Sequence, residues 1–437
     1  MNALAIEPLT GPVDATVVIP GSKSFTNRAL VVAALAEGRS VLEGALQADD
    51  TTAMVEALRG LGIAVTHDFA LATMTVGGTA GRVPAGPADL DARLAGTTAR
   101  FLLPLLALGA GRYRLDGAPP LRARPMGPLI TALGRLGATI EEEGDRGHLP
   151  VTVVADGLVG GTVRLPGSLS SQFVSALLLS GPAMARGVQV ELDLPLVSRP
   201  YLEVTAATMA AFGVSVERHG DAAFAVAPGT YQACRYRIEP DASAASYFFA
   251  AAAVCGGRVR IPGLGSRSVQ GDLAFVDILE AMGAEVRRDD DVTEVVGKGK
   301  LDGVDVDLGD CSDVAQTLAV VAVFASSPTR VRGIGFIRGK ETDRIAAVVR
   351  ELRRCGIDAD EHDDGFLVRP GAPRPTRIRT YGDHRMAMSF ALLGLQVPGI
   401  EINDPGCVAK TFPGYFCLLD TLRGGRWLPD NLSRPCG

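Results

Sequence analysis

Ala57-Leu-Arg-Gly-Leu-Gly-Ile-Ala-Val65 reads as the end of a helix, a glycine that stops it, and the start of a strand. The same order recurs in Ala132-Leu-Gly-Arg-Leu-Gly-Ala-Thr-Ile140, Met209-Ala-Ala-Phe-Gly-Val-Ser-Val216, Ile278-Leu-Glu-Ala-Met-Gly-Ala-Glu-Val286 and Glu351-Leu-Arg-Arg-Cys-Gly-Ile-Asp-Ala359. The stopping glycines are Gly62, Gly137, Gly213, Gly283 and Gly356, at intervals of 75, 76, 70 and 73 residues. A degraded copy, Leu419-Asp-Thr-Leu-Arg-Gly424, follows 68 residues later. Glycine suits the position after a helix because it takes the left-handed backbone at little cost, and the alternation beyond it predicts a strand.

A second series runs in phase with the first. Small polar clusters open apolar helices at Ser22-Lys-Ser-Phe-Thr26, Gly96-Thr-Thr-Ala-Arg100, Ser168-Leu-Ser-Ser-Gln172, Asp241-Ala-Ser243, Asp310-Cys-Ser-Asp313 and Gly382-Asp-His-Arg385. From Ser24 through Thr97, Ser170, Asp241 and Ser312 to Asp383 the steps are 73, 73, 71, 71 and 71 residues. Each cluster offers N-cap chemistry, and the helices behind them are apolar nearly all round, so six buried helices are expected. Two series in phase point to six units of two helices and several short strands. If several of these N-termini face one cleft, their unpaired N–H groups and partial positive charge attract phosphates and carboxylates.

Composition narrows the function classes. The 437 residues carry 43 Lys+Arg against 49 Asp+Glu, a net charge of −6, which excludes a polybasic nucleic-acid binder. Aromatic residues are only 5%, too few for a base-stacking platform. No apolar run reaches the roughly 18 residues of a membrane span. The N-terminus shows no basic region followed by an apolar core, so a secretory leader is not expected. Seven cysteines without a CxxC pair and five scattered histidines argue against a zinc site or a disulfide framework, and a reducing cytoplasm is the expected location. No metal site, nucleophile elbow, Walker loop or dinucleotide fingerprint is present.

Basic residues gather where the polar helix starts lie. Lys23 and Arg28 flank the first cluster, Arg100 follows the second, and Arg385 lies in the sixth. Arg122, Arg124, Arg199 and Lys410 sit in Pro- or Gly-bounded turns. Arg338-Gly-Lys-Glu-Thr-Asp-Arg344 leads into a helix whose expected cap is Thr342. Arginine forks grip carboxylate and phosphate in pairs of bonds, while lysine supplies a point charge or a proton. Asp313 and Glu341 are acids among these cations, a pattern that suits general acid/base work as well as ordinary capping or ion pairing.

The segments Pro20-Gly-Ser-Lys-Ser-Phe-Thr-Asn-Arg28, Leu94-Ala-Gly-Thr-Thr-Ala-Arg100, Arg122-Ala-Arg-Pro-Met126, Ser170-Ser-Gln-Phe173 and Ser198-Arg-Pro-Tyr201 carry a family likeness. So do Asp241-Ala-Ser-Ala-Ala-Ser-Tyr247, Lys340-Glu-Thr-Asp-Arg344, Asp383-His-Arg-Met-Ala-Met388 and Lys410-Thr-Phe-Pro413. In this order the chain resembles the enolpyruvyl transferases, most closely the 5-enolpyruvylshikimate-3-phosphate synthase family. The resemblance implies a mixed α/β fold: a two-domain inside-out barrel of six βαβαββ repeats, three per domain. The domains would be 20–238 and 1–19 plus 239–437, hinged and closing over substrate. It further implies transfer of the enolpyruvyl group of phosphoenolpyruvate to the 5-hydroxyl of shikimate 3-phosphate, in a cytoplasmic monomer without metal or organic cofactor.

By the same resemblance, Lys23, Ser24, Arg28, Ser170, Ser171, Gln172, Ser198, Tyr201, Asp313 and Lys340 would bind shikimate 3-phosphate. Lys23, Gly96, Arg124, Gln172, Arg344, Arg385 and Lys410 would hold phosphoenolpyruvate. Asp313 would be the base toward the hydroxyl, with Glu341 and Lys23 serving the methylene carbon. Leu94, Phe101, Phe336 and Gly382 depart from the common family pattern. The related UDP-N-acetylglucosamine enolpyruvyl transferases typically carry a reactive cysteine in the loop that here reads Gly117-Ala-Pro-Pro-Leu-Arg-Ala-Arg-Pro125, without one.

Overall fold

A computed structural model describes residues 3–424 apart from Leu169, Pro195 and Asp221; Cys436 of the cysteine count therefore lies outside the described residues. The chain divides into two compact units, Gly21–Ile238 and Met1–Pro20 with Glu239–Gly437. The fold is mixed α/β. Gly62, Gly137, Gly213, Gly283, Gly356 and Gly424 all take positive φ, between 80° and 110°. Strands follow the first five: Val65–Asp68, Thr139–Glu142, Glu217–His219, Glu285–Arg288 and Ala359–His362.

Among the described residues, five sheets have four strands and share one plan. In one of them Ala88–Asp91 runs parallel to Ala110–Asp116, with Leu90 opposite Leu115. Val151–Asp156 then pairs antiparallel with Ala110–Asp116, and Thr139–Glu142 antiparallel with Val151–Asp156. A sixth sheet has three strands, Ala3–Ile6, Ile400–Asn403 and Thr376–Ile378, with one antiparallel and one parallel pairing.

The helices Lys23–Leu35, Gly96–Ala107 and Ser171–Ser180 pack on one another inside the first unit, as do Ala242–Cys255, Ala315–Val323 and His384–Gly394 in the second. These are the helices that the polar clusters open, and they are buried almost throughout. Each unit has its own apolar core around its helix trio. A buried Leu or Phe contributes about 1.5–3 kcal/mol over an exposed one, which is why helices apolar on every side come to the centre.

The caps need correction. Ser170, Asp241 and Asp383 do accept backbone N–H bonds at their helix starts. Ser22 holds the cap position without a side-chain cap bond, Ala95 takes the place of Thr97, and Ser312 belongs to a 3-10 turn ahead of the Ala315–Val323 helix. The Arg344–Arg354 helix is capped by Asp343, whose Oδ1 accepts from Ala346 N–H at 3.0 Å, and not by Thr342. Cys234, Cys255, Cys311, Cys355 and Cys407 are free thiols, whereas Cys417 is disulfide-bonded, one bonded cysteine among the described residues and not a framework of them. No helix among the described residues is long and apolar enough to cross a membrane.

Candidate active site

In the Gly21–Ile238 unit the candidate residues stand on the first two turns of the three central helices, on the loops beside them and, for Tyr201, on the first turn of the Pro200–Ala211 helix. Lys23 opens the first helix and pairs with Asp50 at 3.4 Å. Asp50 is buried at the head of the Asp49–Gly60 helix, and its carbonyl accepts from the Thr98 hydroxyl at 3.0 Å, which ties Lys23's partner to the Gly96–Ala107 helix.

Gly96 is the first residue of that helix, and a Cβ there would lie 3.0 Å from Arg124 Nη1 and 3.4 Å from Arg100 Nη1. Two guanidiniums thus approach one bare stretch of helix N-terminus. Arg100 Nη1 donates to Gln172 Oε1 at 2.6 Å, and its guanidinium lies 5.1 Å from the Phe173 ring centre. Gly96, Arg124 and Gln172 are therefore brought together, with Arg100 as the member that the resemblance did not name.

Arg28 lies one turn along the first helix and is 1% exposed. Nε donates to Thr205 Oγ1 at 2.8 Å, Nη1 to Ser24 O at 2.9 Å, and Nη2 to Ser175 Oγ and Tyr201 O at 3.2 Å each. Four of its N–H groups are so occupied, and Phe101, one of the departures, places its ring centre 5.2 Å from the guanidinium. Burial among neutral partners pulls Arg28 down to about 10, still fully charged at neutral pH. Ser24 and Tyr201 join this group through backbone oxygens. Ser198 is buried, in the left-handed backbone region at φ 55°, and its carbonyl accepts from Tyr201 N–H at 3.2 Å. Ser170 caps the helix that Ser171 begins.

The other unit holds a network of opposite charges. Arg344 is 2% exposed and faces three carboxylates. Nε donates to Asp383 Oδ2 at 2.8 Å, Nη1 to Asp313 Oδ1 at 3.0 Å and Nη2 to Glu341 Oε2 at 2.8 Å. Burial alone would lower its pKa, but Asp383, Glu341 and Asp313 carry it above the ordinary arginine value. Arg385 Nη2 donates to Asp313 Oδ2 at 2.6 Å, and Lys410 Nζ lies 4.0 Å from Glu341 Oε1. Asp313, Glu341, Arg344, Arg385 and Lys410, scattered over about a hundred residues of sequence, form one cluster. The Lys340 ammonium lies 6.0 Å from the ring centre of Phe336, a second departure, which offers it an aromatic face.

Sequence reasoning used Asp383 only as a cap. It caps the His384–Gly394 helix and anchors Arg344 at once, accepting from Arg385 N–H and from Arg344 Nε and Nη2. The signal was its place between Gly382 and His384 at a helix start. Among the described residues no group of three His, Cys, Asp or Glu side chains is arranged to hold a metal ion.

A sequence model of the EPSP synthase (3-phosphoshikimate 1-carboxyvinyltransferase) family matches residues 9–419. The chain belongs to the EPSP synthase family. It is 51% identical over 417 residues to a 3-phosphoshikimate 1-carboxyvinyltransferase of Nostoc punctiforme, covering 95% of this chain and 98% of the relative. A 3-phosphoshikimate 1-carboxyvinyltransferase from a Sulfurovum species is 43% identical over 427 residues, covering 97% and 99%. A solved EPSP synthase from Acinetobacter baumannii matches the fold with a TM-score of 0.84 at 26% identity, over 97% of this chain and 98% of that one. Both clusters lie within the stretch that the EPSP synthase family spans.

Proposed function

We infer that the two clusters serve one reaction. The chain is an enolpyruvyl transferase of the shikimate pathway, moving the enolpyruvyl group of phosphoenolpyruvate to the 5-hydroxyl of shikimate 3-phosphate with release of phosphate. One observation carries the assignment of roles: Asp313 and Glu341 share the guanidinium of Arg344, with Arg385 beside one and Lys410 beside the other.

Both substrates are anions, and cations must offset their repulsion as they approach. In our reading Arg124, Gly96 and Gln172 receive phosphoenolpyruvate in the first unit, and Arg344, Arg385 and Lys410 receive it in the second. Ser24, Arg28, Ser170, Ser171, Gln172, Ser198 and Tyr201 line the shikimate 3-phosphate side, with Asp313 and Lys340 contributing from the second unit and Lys23 touching both substrates. The phosphate and carboxylate of phosphoenolpyruvate compete with Asp313 and Glu341 for the guanidiniums. Their arrival releases the two acids for proton transfer.

A proton then passes to the methylene carbon, from Glu341 with Lys23, and leaves a cationic carbon. The 5-hydroxyl oxygen bonds to that carbon while Asp313 takes the hydroxyl proton. In the second half the bond to phosphate breaks, phosphate leaves with its electron pair, and a methyl proton returns to the protein. The acid and base exchange places between the two halves.

We further propose that the shared sheet plan and the in-phase glycines mark six βαβαββ repeats, three in each unit, built as an inside-out barrel. The units would close over substrate in a monomeric, cytoplasmic enzyme, which would exclude water from the cationic intermediate. Purified protein with phosphoenolpyruvate and either shikimate 3-phosphate or UDP-N-acetylglucosamine tests the reaction. Phosphate release is expected with the cyclitol alone, and silence with it would overturn the reading.

A further inference from the structure

Ser268-Val-Gln-Gly-Asp272 belongs to none of the segments used above, and it ends in a buried acid. Gln270 fixes the turn to the start of the Ala242–Cys255 helix. Its Oε1 accepts from Ala242 N–H at 3.0 Å, and its Nε2 donates to Pro240 O at 2.7 Å and Glu239 Oε2 at 2.9 Å. Asp272 follows two residues later, 5% exposed, with Oδ2 accepting from the hydroxyl of Ser243. Ser243 Oγ in turn accepts from Arg385 Nη2 at 3.4 Å, the same nitrogen that donates to Asp313 Oδ2 at 2.6 Å. One hydroxyl thus joins a buried acid to the arginine that holds the base. A serine hydroxyl has a single proton, so giving it to Asp272 leaves only lone pairs toward Arg385.

We propose that Asp272, acting through Ser243, is a positioning residue that orients Arg385 for phosphoenolpyruvate, and that it does so only while ionised. This rests on the reading of Arg385 as a phosphoenolpyruvate ligand. The groups facing Asp272 are Asp313 and Cys311 from the turn before the Ala315–Val323 helix, Asp241 at the head of the Ala242–Cys255 helix, and Arg385. The Phe275–Ala281 helix, packed on the same turn, directs Asp277 to Arg288 and leaves Glu280 exposed. Burial, with the Asp313 carboxylate adding to it, pushes Asp272 up to about 6, while Arg385 opposes the rise. Cys311, pushed up to about 12 mainly by burial, stays a neutral thiol.

The sign of this shift separates function from stability. A carboxyl with a raised pKa binds its proton more tightly folded than unfolded, so the fold loses stability as pH climbs from the ordinary carboxylate range to about 6. Above that, the ionised acid is a standing cost that an asparagine of the same shape would not impose. A purely structural residue gains nothing from that charge; an acid that must orient a guanidinium does.

The test is the kinetics of Asp272→Asn, Ser243→Ala and the double variant from about pH 5 to about pH 9, with thermal denaturation above neutrality. Each single variant should raise KM for phosphoenolpyruvate about tenfold with a smaller change in kcat, and the double variant should be no worse than either. The wild type should show an acid limb of kcat/KM near 6, and that limb should vanish in Asp272→Asn, which should melt at or above the wild-type temperature. Unchanged KM in both single variants, a persisting acid limb in Asp272→Asn, or additive losses would overturn the proposal. If Asp272→Asn is not recovered folded, Ser243→Ala decides, since it keeps the acid and cuts the link. Wild-type protein that releases no phosphate would sink the functional reading itself; active wild type with indifferent variants sinks only the positioning role.

Discussion

Arg28 and Arg344 are buried alike, 1% and 2% exposed, yet they are held in opposite ways. Arg28 gives its hydrogen bonds to two hydroxyls and two backbone carbonyls, with the Phe101 ring against it. Arg344 gives its bonds to three carboxylates. Hydroxyls and carbonyls satisfy a guanidinium's donors and leave its charge standing, so the surroundings of Arg28 stay positive and favour an arriving anion. Carboxylates cancel the charge, and an anion must displace them to reach Arg344. The Gly21–Ile238 unit therefore keeps positive potential ready, while the other unit stores acids and cations in mutual restraint. The first arrangement suits recognition and the second suits proton transfer.

The sharpest test of that division is Asp313→Ala. If the compensated network does the chemistry, kcat should fall by about 10²–10⁴-fold while both substrates still bind. Turnover near the wild-type rate, measured by phosphate release, would remove Asp313 from the mechanism and leave the contrast without a functional meaning.

Stability tests the same contrast next. Arg344→Met takes from Asp383, at 0% exposure, the guanidinium it shares with Asp313 and Glu341, leaves those two to Arg385 and Lys410, and should cost about 3–5 kcal/mol in urea unfolding at neutral pH. Arg28→Met leaves only neutral acceptors unpaired and also relieves the burial of a charge, so about 1–3 kcal/mol is expected. Equal losses for the two variants would show that neighbouring charge does not distinguish these sites.

The sequence carried what is local. A glycine that must take positive φ after a helix leaves its mark at one position, and all six such glycines take it. Helices apolar on every side left a similarly plain record. The motif residues of the second cluster were legible because Glu341 and Arg344 stand three apart on one turn, and Asp383 and Arg385 two apart on another. What stayed hidden were partners supplied by distant elements. Asp50 meets Lys23 across two helices, Arg100 reaches Gln172 72 residues away, and Asp272 finds Ser243 29 residues back. Each is an ordinary polar residue in an ordinary pattern, and only packing gives it a partner. The caps failed for a different reason. Several Ser, Thr and Asp residues crowd each helix start, and their order does not say which one adopts the extended backbone that a cap requires.

Gly96→Ala is the gentlest way to sharpen the contrast, because it perturbs the cationic cluster without removing a charge. The added Cβ would stand 3.0 Å from Arg124 Nη1, closer than ordinary contact, and 3.4 Å from Arg100 Nη1. A backbone atom that close would oppose the change, but the tip of an arginine can retreat by a few tenths of an ångström. Alanine also favours a helix over glycine by about 0.5–1 kcal/mol, so thermal stability should hold or rise slightly. The retreat moves the guanidinium proposed to grip phosphoenolpyruvate. Its KM should therefore rise about three- to tenfold, with the KM for shikimate 3-phosphate nearly unchanged. A variant in which both Michaelis constants rise together would mean that Gly96 shapes the whole pocket of its unit and does not simply make room for Arg124. An unchanged KM for phosphoenolpyruvate would mean that the ready positive potential of this unit lies elsewhere, around Arg28 and Lys23.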